Sequence, residues 1–245
     1  MSVKRMVSKI IVCEGKTFFV RDTSKDYHSQ FGFIKASDLK KNGKVKTNTG
    51  KEAIILDATF SDSYSRIKRG PQIIPLKDIG LIISETGIGK KSKVLDAGTG
   101  SGALACMLAN ISKEAVSYEK REDFFQIAQK NKEMLELKNL KIKNKDVYDC
   151  IEEKNLDVII LDLPEPWLAV GNAKKALKTG GFLVSYSPTL PQSSDFISEI
   201  LKQDFHYIKT CEIIEREWEL DGRKIRPKSQ AIGHSGFISF CRKKY

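Results

Sequence analysis

Hydrophobic positions run along this chain in two rhythms. Residues 1–62 carry short β-rich runs (Lys9–Cys13, Thr17–Val20, Phe31–Ile34, Ala53–Leu56) broken by Gly15, Asn42-Gly43 and Thr49-Gly50. Short alternating runs joined by close turns predict a small β-barrel-like domain. Residues 63–245 read differently. After a connecting stretch, Ile79, Ile82 and Ile83 at helical spacing predict a helix over Lys77–Ile88. Apolar runs then recur at Lys93–Ala97, Ala115–Glu119, Leu140–Lys145, Val158–Leu163 and Phe182–Ser187. Between them, Phe124, Ile127, Ala128 and Leu135, then Trp167, Val170, Ala173 and Leu177, mark helices, the second ending at Gly180-Gly181. Such alternation predicts a parallel sheet with helices on both faces. A helix over Asp195–Lys202 leads to two long β runs, His206–Leu220 and His234–Arg242, joined by a basic segment. Neighbouring runs of this kind pair antiparallel, which closes an α/β sheet of seven strands with a terminal hairpin.

Candidate chemistry gathers where such sheets hold ligands, outside the carboxyl ends of the strands. Val94–Gly102 is an apolar run that turns on Gly98, Gly100 and Gly102 into a helical pattern. Glycines allow a sharp turn there and a ligand approach that a Cβ would block. The loop fits both a dinucleotide and S-adenosylmethionine, and Glu119 at the end of the next run suits the ribose of either. Asp96 separates them, because a carboxylate there repels a pyrophosphate but suits a ligand carrying an ammonium and a sulfonium. An acid closes each of the first four strands: Asp96, Glu119 (followed by Lys120), Asp146 (followed by Val147) and Asp162. With Thr99 and Ser101 of the loop, and Gln72 at the connection's entrance to the sheet, these form the candidate cofactor site.

The charge balance enlarges the picture. Forty-two Lys and Arg against 31 Asp and Glu give +11, which suits a polyanionic partner. Lysines 35, 40, 41, 44, 46 and 51 cluster between the early β runs, as a solvated face or a polyanion contact. The apolar run Ile10–Cys13 is bracketed by Lys9 and Glu14, so a signal peptide or membrane span is not expected and the protein is read as cytoplasmic. Five scattered cysteines without a C-x-x-C pair, and three histidines, point to no metal site. Cys211 and Cys241 fall in the two runs expected to pair, leaving a bridge open.

The stretch after the fourth strand, Asp162-Leu163-Pro164-Glu165-Pro166-Trp167, is the most specific. Two prolines hold it extended, and their missing N–H groups leave carbonyls to accept from an amino group. It resembles the Asp-Pro-Pro-aromatic loop of enzymes that methylate adenine at nitrogen, with Trp167 either supporting the base or anchoring the core. The chain as a whole resembles the tRNA (adenine-N1)-methyltransferase family in its TrmI form, most closely the archaeal branch. The stretches that carry this are Phe31-Gly32, Lys46–Gly50, Arg69–Ile74 with Lys77-Asp78, Val94–Gly102, Tyr118-Glu119, Glu165-Pro166-Trp167, Ala176–Tyr186, Arg216–Glu219, Arg226-Pro227 and Gly233–Phe237.

The resemblance implies a Rossmann-like class I methyltransferase sheet, S-adenosylmethionine as cofactor, and a homotetramer that methylates N1 of adenine 58 in the T-loop of tRNA, in archaeal members often adenine 57 too. It places Gly98–Gly102 against the methionine part of the cofactor, Glu119 on its ribose, Asp146 on its adenine, and Asp162 between cofactor and target base. Arg223 and Arg226, with Lys224 and Lys228, are expected to hold the tRNA backbone, and His234 is either a substrate contact or a structural histidine. One departure stands out: Pro75-Leu76 occupy the place where the family has a His or Tyr followed by Pro. A non-catalytic tRNA-binding subunit and a methyltransferase acting on another RNA atom are the alternatives.

Overall fold

The computed structural model describes residues 6–70, 73–229 and 233–245. Contacts divide the chain into two units, Met1–Lys68 with Lys130–Glu136, and Arg69–Gln129 with Leu137–Tyr245. The first comprises β1 (Lys9–Cys13), β2 (Lys16–Val20), β3 (Tyr27–Ser29), β4 (Gly32–Ile34), α1 (Ala36–Leu39), β5 (Gly43–Lys46), β6 (Glu52–Asp57) and α2 (Phe60–Tyr64). β1 alternates buried and half-buried residues, so Ile11 and Cys13 pack with Ala53 and Ile55 of β6 beneath Val20, Ile34 and Leu39. Four strands form an antiparallel sheet in the order β2-β1-β6-β5, while β3 and β4 pair separately. The barrel-like closure expected from the turns does not occur among the described residues, because β2 and β5 remain edges. Asn131 ties the end of this unit to itself, accepting from the Lys68 N–H at 2.9 Å and donating to its carbonyl at 2.8 Å.

The second unit comprises α3 (Leu76–Thr86), β7 (Lys93–Ala97), α4 (Ala103–Ile111), β8 (Glu114–Tyr118), most of α5 (Glu122–Met134), β9 (Leu140–Lys143), β10 (Leu156–Leu161), α6 (Val170–Ala176), β11 (Leu177–Ser187), α7 (Leu190–Leu201), β12 (Phe205–Cys211), β13 (Trp218–Asp221), β14 (Lys224–Pro227) and β15 (Phe237–Lys243). Seven strands lie in the order β12-β15-β11-β10-β7-β8-β9. All run parallel except β15, which pairs antiparallel with β11 and β12. β7 and β10 are buried on both faces, which is why they read as continuous apolar runs. None of the described helices is long and apolar enough to cross a membrane.

Two expectations need correction. α6 ends at Ala176, not at Gly180-Gly181; those glycines sit in an irregularity of β11, where pairing to β10 jumps from Leu156↔Leu177 to Val158↔Phe182. A Cβ on Gly181 would lie 2.9 Å from the Lys178 carbonyl, so the kink itself requires glycine. The run His206–Leu220 is not one strand. β12 stops at Cys211, and the described residues between it and β15 make an excursion that carries β13 and β14 as their own antiparallel ribbon. Its strands cannot lengthen β12, because Glu219 and Asp221 alternate with Trp218 and Leu220 and pair with Arg226 and Lys224 instead. The bridge that the sequence left open is not made: Cys211 lies opposite Ile238 and Cys241 opposite Tyr207, out of register, and all five cysteines are free.

Candidate active site

β7 runs into the glycine loop with β8 on one side and β10 on the other, so the loop opens where successive connections diverge. Gly98, Gly100 and Gly102 all have positive φ (95°, 53° and 79°), but each for a different reason. A Cβ on Gly98 would sit 2.0 Å from the Asp162 carbonyl oxygen, so the end of β10 packs directly on this glycine. Gly102 lets α4 approach α5, its Cβ position lying 3.0 Å from that of Ala128. At Gly100 the nearest atom is the Gly98 carbonyl, 4.0 Å away, so this glycine alone faces open space.

Hydrogen bonds from β8 hold the loop. The Gly98 and Thr99 N–H groups donate to the Tyr118 carbonyl (3.1 and 3.2 Å), and the Gly100 N–H donates to Glu119 Oε2 at 2.8 Å. Glu119 Oε1 accepts from the Arg121 N–H at 2.9 Å. Beneath the loop, Ser117 Oγ lies 2.6 Å from Thr99 Oγ1 and donates to Asp96 Oδ2 at 2.8 Å. Asp96 is 1% exposed, and its other oxygen has no hydrogen-bond partner. Burial, reinforced by the charge of Glu119, pushes the Asp96 carboxyl up to about 7 against the opposing Ser117 bond. Burial and then the charge of Asp96 push Asp162 up to about 7 as well. Two acids this close in a low-dielectric site attract a cation.

A cleft of about 240 Å³ opens beside the loop, lined by Gly98, Gly100, Glu119, Lys120, Asp146, Val147, Asp162, Leu163 and Pro164. A small second cavity behind it adds Ile73, Ile74, Thr99, Ser101 and Leu104 and shares Gly98, Gly100 and Asp162. The structure thus brings most of the expected cofactor residues together. Asp96 and Gly102 support the loop from behind, and Gln72 lies outside the described residues. Lys120 Nζ is 3.8 Å from Asp146 and 5.7 Å from the centre of the Tyr148 ring. Tyr148 and Phe124 also line the cleft. Sequence reading missed Tyr148, although its place two residues after Asp146 was a usable signal, and took Phe124 only as a helix marker.

The Asp162–Trp167 loop departs from expectation in one respect. The Pro164 carbonyl is not free: Gln192 Nε2 of α7 donates to it at 3.0 Å. Trp167 is half-buried in a 3-10 turn (Pro166–Ala169) and does not line the cleft. The basic residues of the β13–β14 ribbon are largely paired within it, with Arg226 Nε 2.8 Å and Lys224 Nζ 3.1 Å from Glu219, and Lys228 on Glu217. Arg223 stands exposed at the turn. His234 fastens the neck of the excursion, with Nδ1 2.5 Å from Glu212 and Nε2 2.8 Å from the Pro188 carbonyl. Below it, Asp78 is fully buried and accepts from Lys77, Tyr186 and Ser235. Pro75 is the N-cap of α3.

A glycine loop after the first strand, acids at the next strand ends and a single antiparallel strand in a sheet of seven define a class I methyltransferase. Solved structures agree. An S-adenosylmethionine-dependent O-methyltransferase from Thermotoga maritima superposes with a TM-score of 0.83 at 26% identity, covering 100% of this chain and 95% of that one. The tRNA (m1A58) methyltransferase TrmI of Aquifex aeolicus does so at 0.79 and 26%, covering all of both chains. Residues 65–235 match the family described as tRNA methyltransferase complex GCD14 subunit, and the chain belongs to that family. The tRNA (adenine(57)-N(1)/adenine(58)-N(1))-methyltransferase TrmI of Methanocaldococcus jannaschii is 33% identical, over 96% of this chain and 94% of its own. The tRNA (adenine(58)-N(1))-methyltransferase TrmI of Thermus thermophilus is 30% identical over 82% and 81%.

Proposed function

We propose that this protein methylates N1 of adenine 58 in the T-loop of tRNA, and adenine 57 as well, using S-adenosylmethionine. The observation that carries this reading is Asp162, a half-buried acid whose backbone rests on Gly98 and which lines both cavities beside the glycine loop. The residues present fit the cofactor. The unpartnered Asp96 oxygen and the two raised acids suit a positively charged ligand, and Gly100 leaves room for close approach. Gly98–Gly102 are assigned to its methionine part. Glu119 is assigned to its ribose, since a carboxylate with two backbone donors still has acceptor sites for hydroxyls. Lys120, Asp146 and Val147 are assigned to its adenine. Gln72 is assigned to the same site from the sequence alone.

When bound, the cofactor supplies a methyl group on a positively charged sulfur. The protein's share is placement and electrostatics. Adenine N1 carries a lone pair at neutral pH, so no general base is required, and in-line placement contributes several kcal/mol. Methylation makes the base cationic. A carboxylate at Asp162 accepting from the exocyclic amino group therefore gains attraction as that charge develops, a contribution concentrated in the transition state.

N1 is on the pairing edge, so the base must leave folded tRNA. The exposed lysines 35, 40, 41, 44 and 46, which have no acidic partner among the described residues, are assigned to the tRNA backbone with Arg223 and Arg226, and Trp167 and His234 to the substrate side. The enzyme works in the cytoplasm as a homotetramer, with residues 1–62 as a small β domain and 63–245 as the methyltransferase domain. Support for assembly comes from the ribbon, whose paired Trp218, Leu220, Ile225 and Pro227 give one wholly apolar exposed face. The test is incubation with unmodified tRNA transcript and labelled S-adenosylmethionine, followed by nucleoside mapping. Label as 1-methyladenosine at 58 and 57 supports the reading, label at 58 alone removes the second site, and no label overturns it.

A further inference from the structure

The loop that carries Asp162 has few ways to be held. Pro164 and Pro166 lack N–H donors, which leaves the loop to be fixed by what grips its remaining groups. The Asp162 N–H donates to the Ala97 carbonyl at 2.8 Å, and the Glu165 N–H donates to the Tyr148 hydroxyl at 3.3 Å. Between these anchors, the Pro164 carbonyl accepts from Gln192 Nε2 at 3.0 Å. Gln192 is itself aimed. Thr189 Oγ1, at the N-cap of α7, donates to Gln192 Oε1 at 2.7 Å and accepts from the Gln192 N–H at 3.4 Å. Rotating the amide by half a turn would face Oε1 against the Pro164 carbonyl, two acceptors in contact, so the amide has one orientation. Thr189 follows Pro188, whose carbonyl is held by His234.

We propose that Gln192, aimed by Thr189, is a positioning residue for the methyl-transfer reaction: its bond to the Pro164 carbonyl presses the loop onto Gly98 and sets where the Asp162 carboxylate meets the target base. Among the described residues Gln192 makes no hydrogen bond to the glycine loop or to Glu119, so it acts on the cofactor cleft only through the Asp162–Pro164 stretch that it holds. The Pro164 carbonyl is exposed enough for water to replace the amide, so the fold loses little without it. This inference rests on the assignment of Asp162 to the base.

The experiment compares Gln192→Ala, Gln192→Glu, Thr189→Val, Thr189→Ser and Asp162→Ala in the full-length protein, measuring kcat on tRNA, KM for S-adenosylmethionine and Tm. Gln192→Glu fills the same volume but sets an oxygen against the Pro164 carbonyl. It decides the matter if the alanine variant is poorly folded. The expected result is a fall in kcat of about tenfold or more for both Gln192 variants and for Thr189→Val. KM for the cofactor should stay within twofold, Tm within a few degrees, and Thr189→Ser should recover most of the turnover. Wild-type kcat in both Gln192 variants beside an inactive Asp162→Ala overturns the positioning role alone. Wild-type turnover in Asp162→Ala overturns the reading on which it rests.

Discussion

Replacing Gly98 by alanine tests how the strand ends build the site. The added Cβ would lie 2.0 Å from the Asp162 carbonyl oxygen and 2.9 Å from its carbonyl carbon, both backbone atoms that no rotamer change can move. Non-bonded Cβ contacts begin near 3.0 Å, so the glycine loop and the end of β10 must part by about 1 Å. The positive φ of 95° adds roughly 1–2 kcal/mol for any L side chain. In a chain of this size, about 2 kcal/mol lowers Tm by roughly 4–8 °C, which leaves the protein folded at 25 °C. A 1 Å misplacement at a reacting centre costs about a hundredfold in rate. Gly98→Ala should therefore remain folded yet lose about two orders of magnitude in kcat, measured with labelled cofactor and tRNA transcript at saturation. Gly100→Ala is the contrast. Its Cβ meets nothing of the protein nearer than 4.0 Å, so it should raise KM for the cofactor by filling space the ligand needs. Wild-type turnover in Gly98→Ala would refute the argument that this packing places Asp162.

The same geometry gives four further predictions. Because Asp96 and Asp162 are raised to about 7 in the ligand-free protein, kcat/KM for S-adenosylmethionine should rise with pH through about 7 and level off above it; a flat profile from pH 6 to 8.5 sinks this. The same shift has a stability consequence. A carboxyl with a raised folded pKa favours folding below its unfolded value and loses that contribution as pH climbs to about 7, so Asp96→Asn should raise the ligand-free Tm at pH 8 but not at pH 4. His234 faces a carboxylate and a carbonyl, both acceptors, so both ring nitrogens carry protons and its pKa lies above 6.5, first because of Glu212 and then Pro188, with Lys77 opposing. Its contribution to stability is present below 6.5 and lost as pH rises through the folded pKa, and NMR titration of the ring should show a midpoint above that of an unperturbed histidine. Replacing Lys40, Lys41 and Lys44 together by alanine should weaken tRNA binding and flatten the slope of log K against log salt by roughly 0.7–0.9 for each lysine that meets a phosphate, with KM for the cofactor unchanged.

How far the sequence revealed this site depended on whether the signal was local. The order of strands, the glycine loop and the acids at strand ends were legible because each is written within a few consecutive residues. The long run His206–Leu220 was misread because β propensity continues through residues 212–220 while pairing does not. Only tertiary register distinguishes a strand of the sheet from a ribbon beside it. Gly180-Gly181 looked like a helix stop for a similar reason, since a glycine pair marks any abrupt change of direction. Gln192 was invisible. Nothing in its neighbourhood shows that α7 brings it against a loop that precedes it by 28 residues.

The distribution of charge explains how one chain can take two ligands of opposite sign. The protein carries +11 overall, yet the cleft gathers Glu119, Asp146 and Asp162 at the carboxyl edge of the sheet, with Asp96 buried behind the glycine loop. Long-range attraction acts on a polyanion at the scale of the whole surface, and salt screens it within about 8–10 Å. The cleft field acts over a few ångströms in a partly desolvated site and is screened far less. In the proposed function, a nucleic acid would be drawn to the exterior lysines while the acidic cleft repels its phosphates and admits a neutral base. That base leaves with a positive charge on methylation. Burial raises Asp96 and Asp162 in the free protein, the charge of Asp96 adding to the shift of Asp162, and in the role proposed for Asp162 its carboxyl stabilises that charge as it forms.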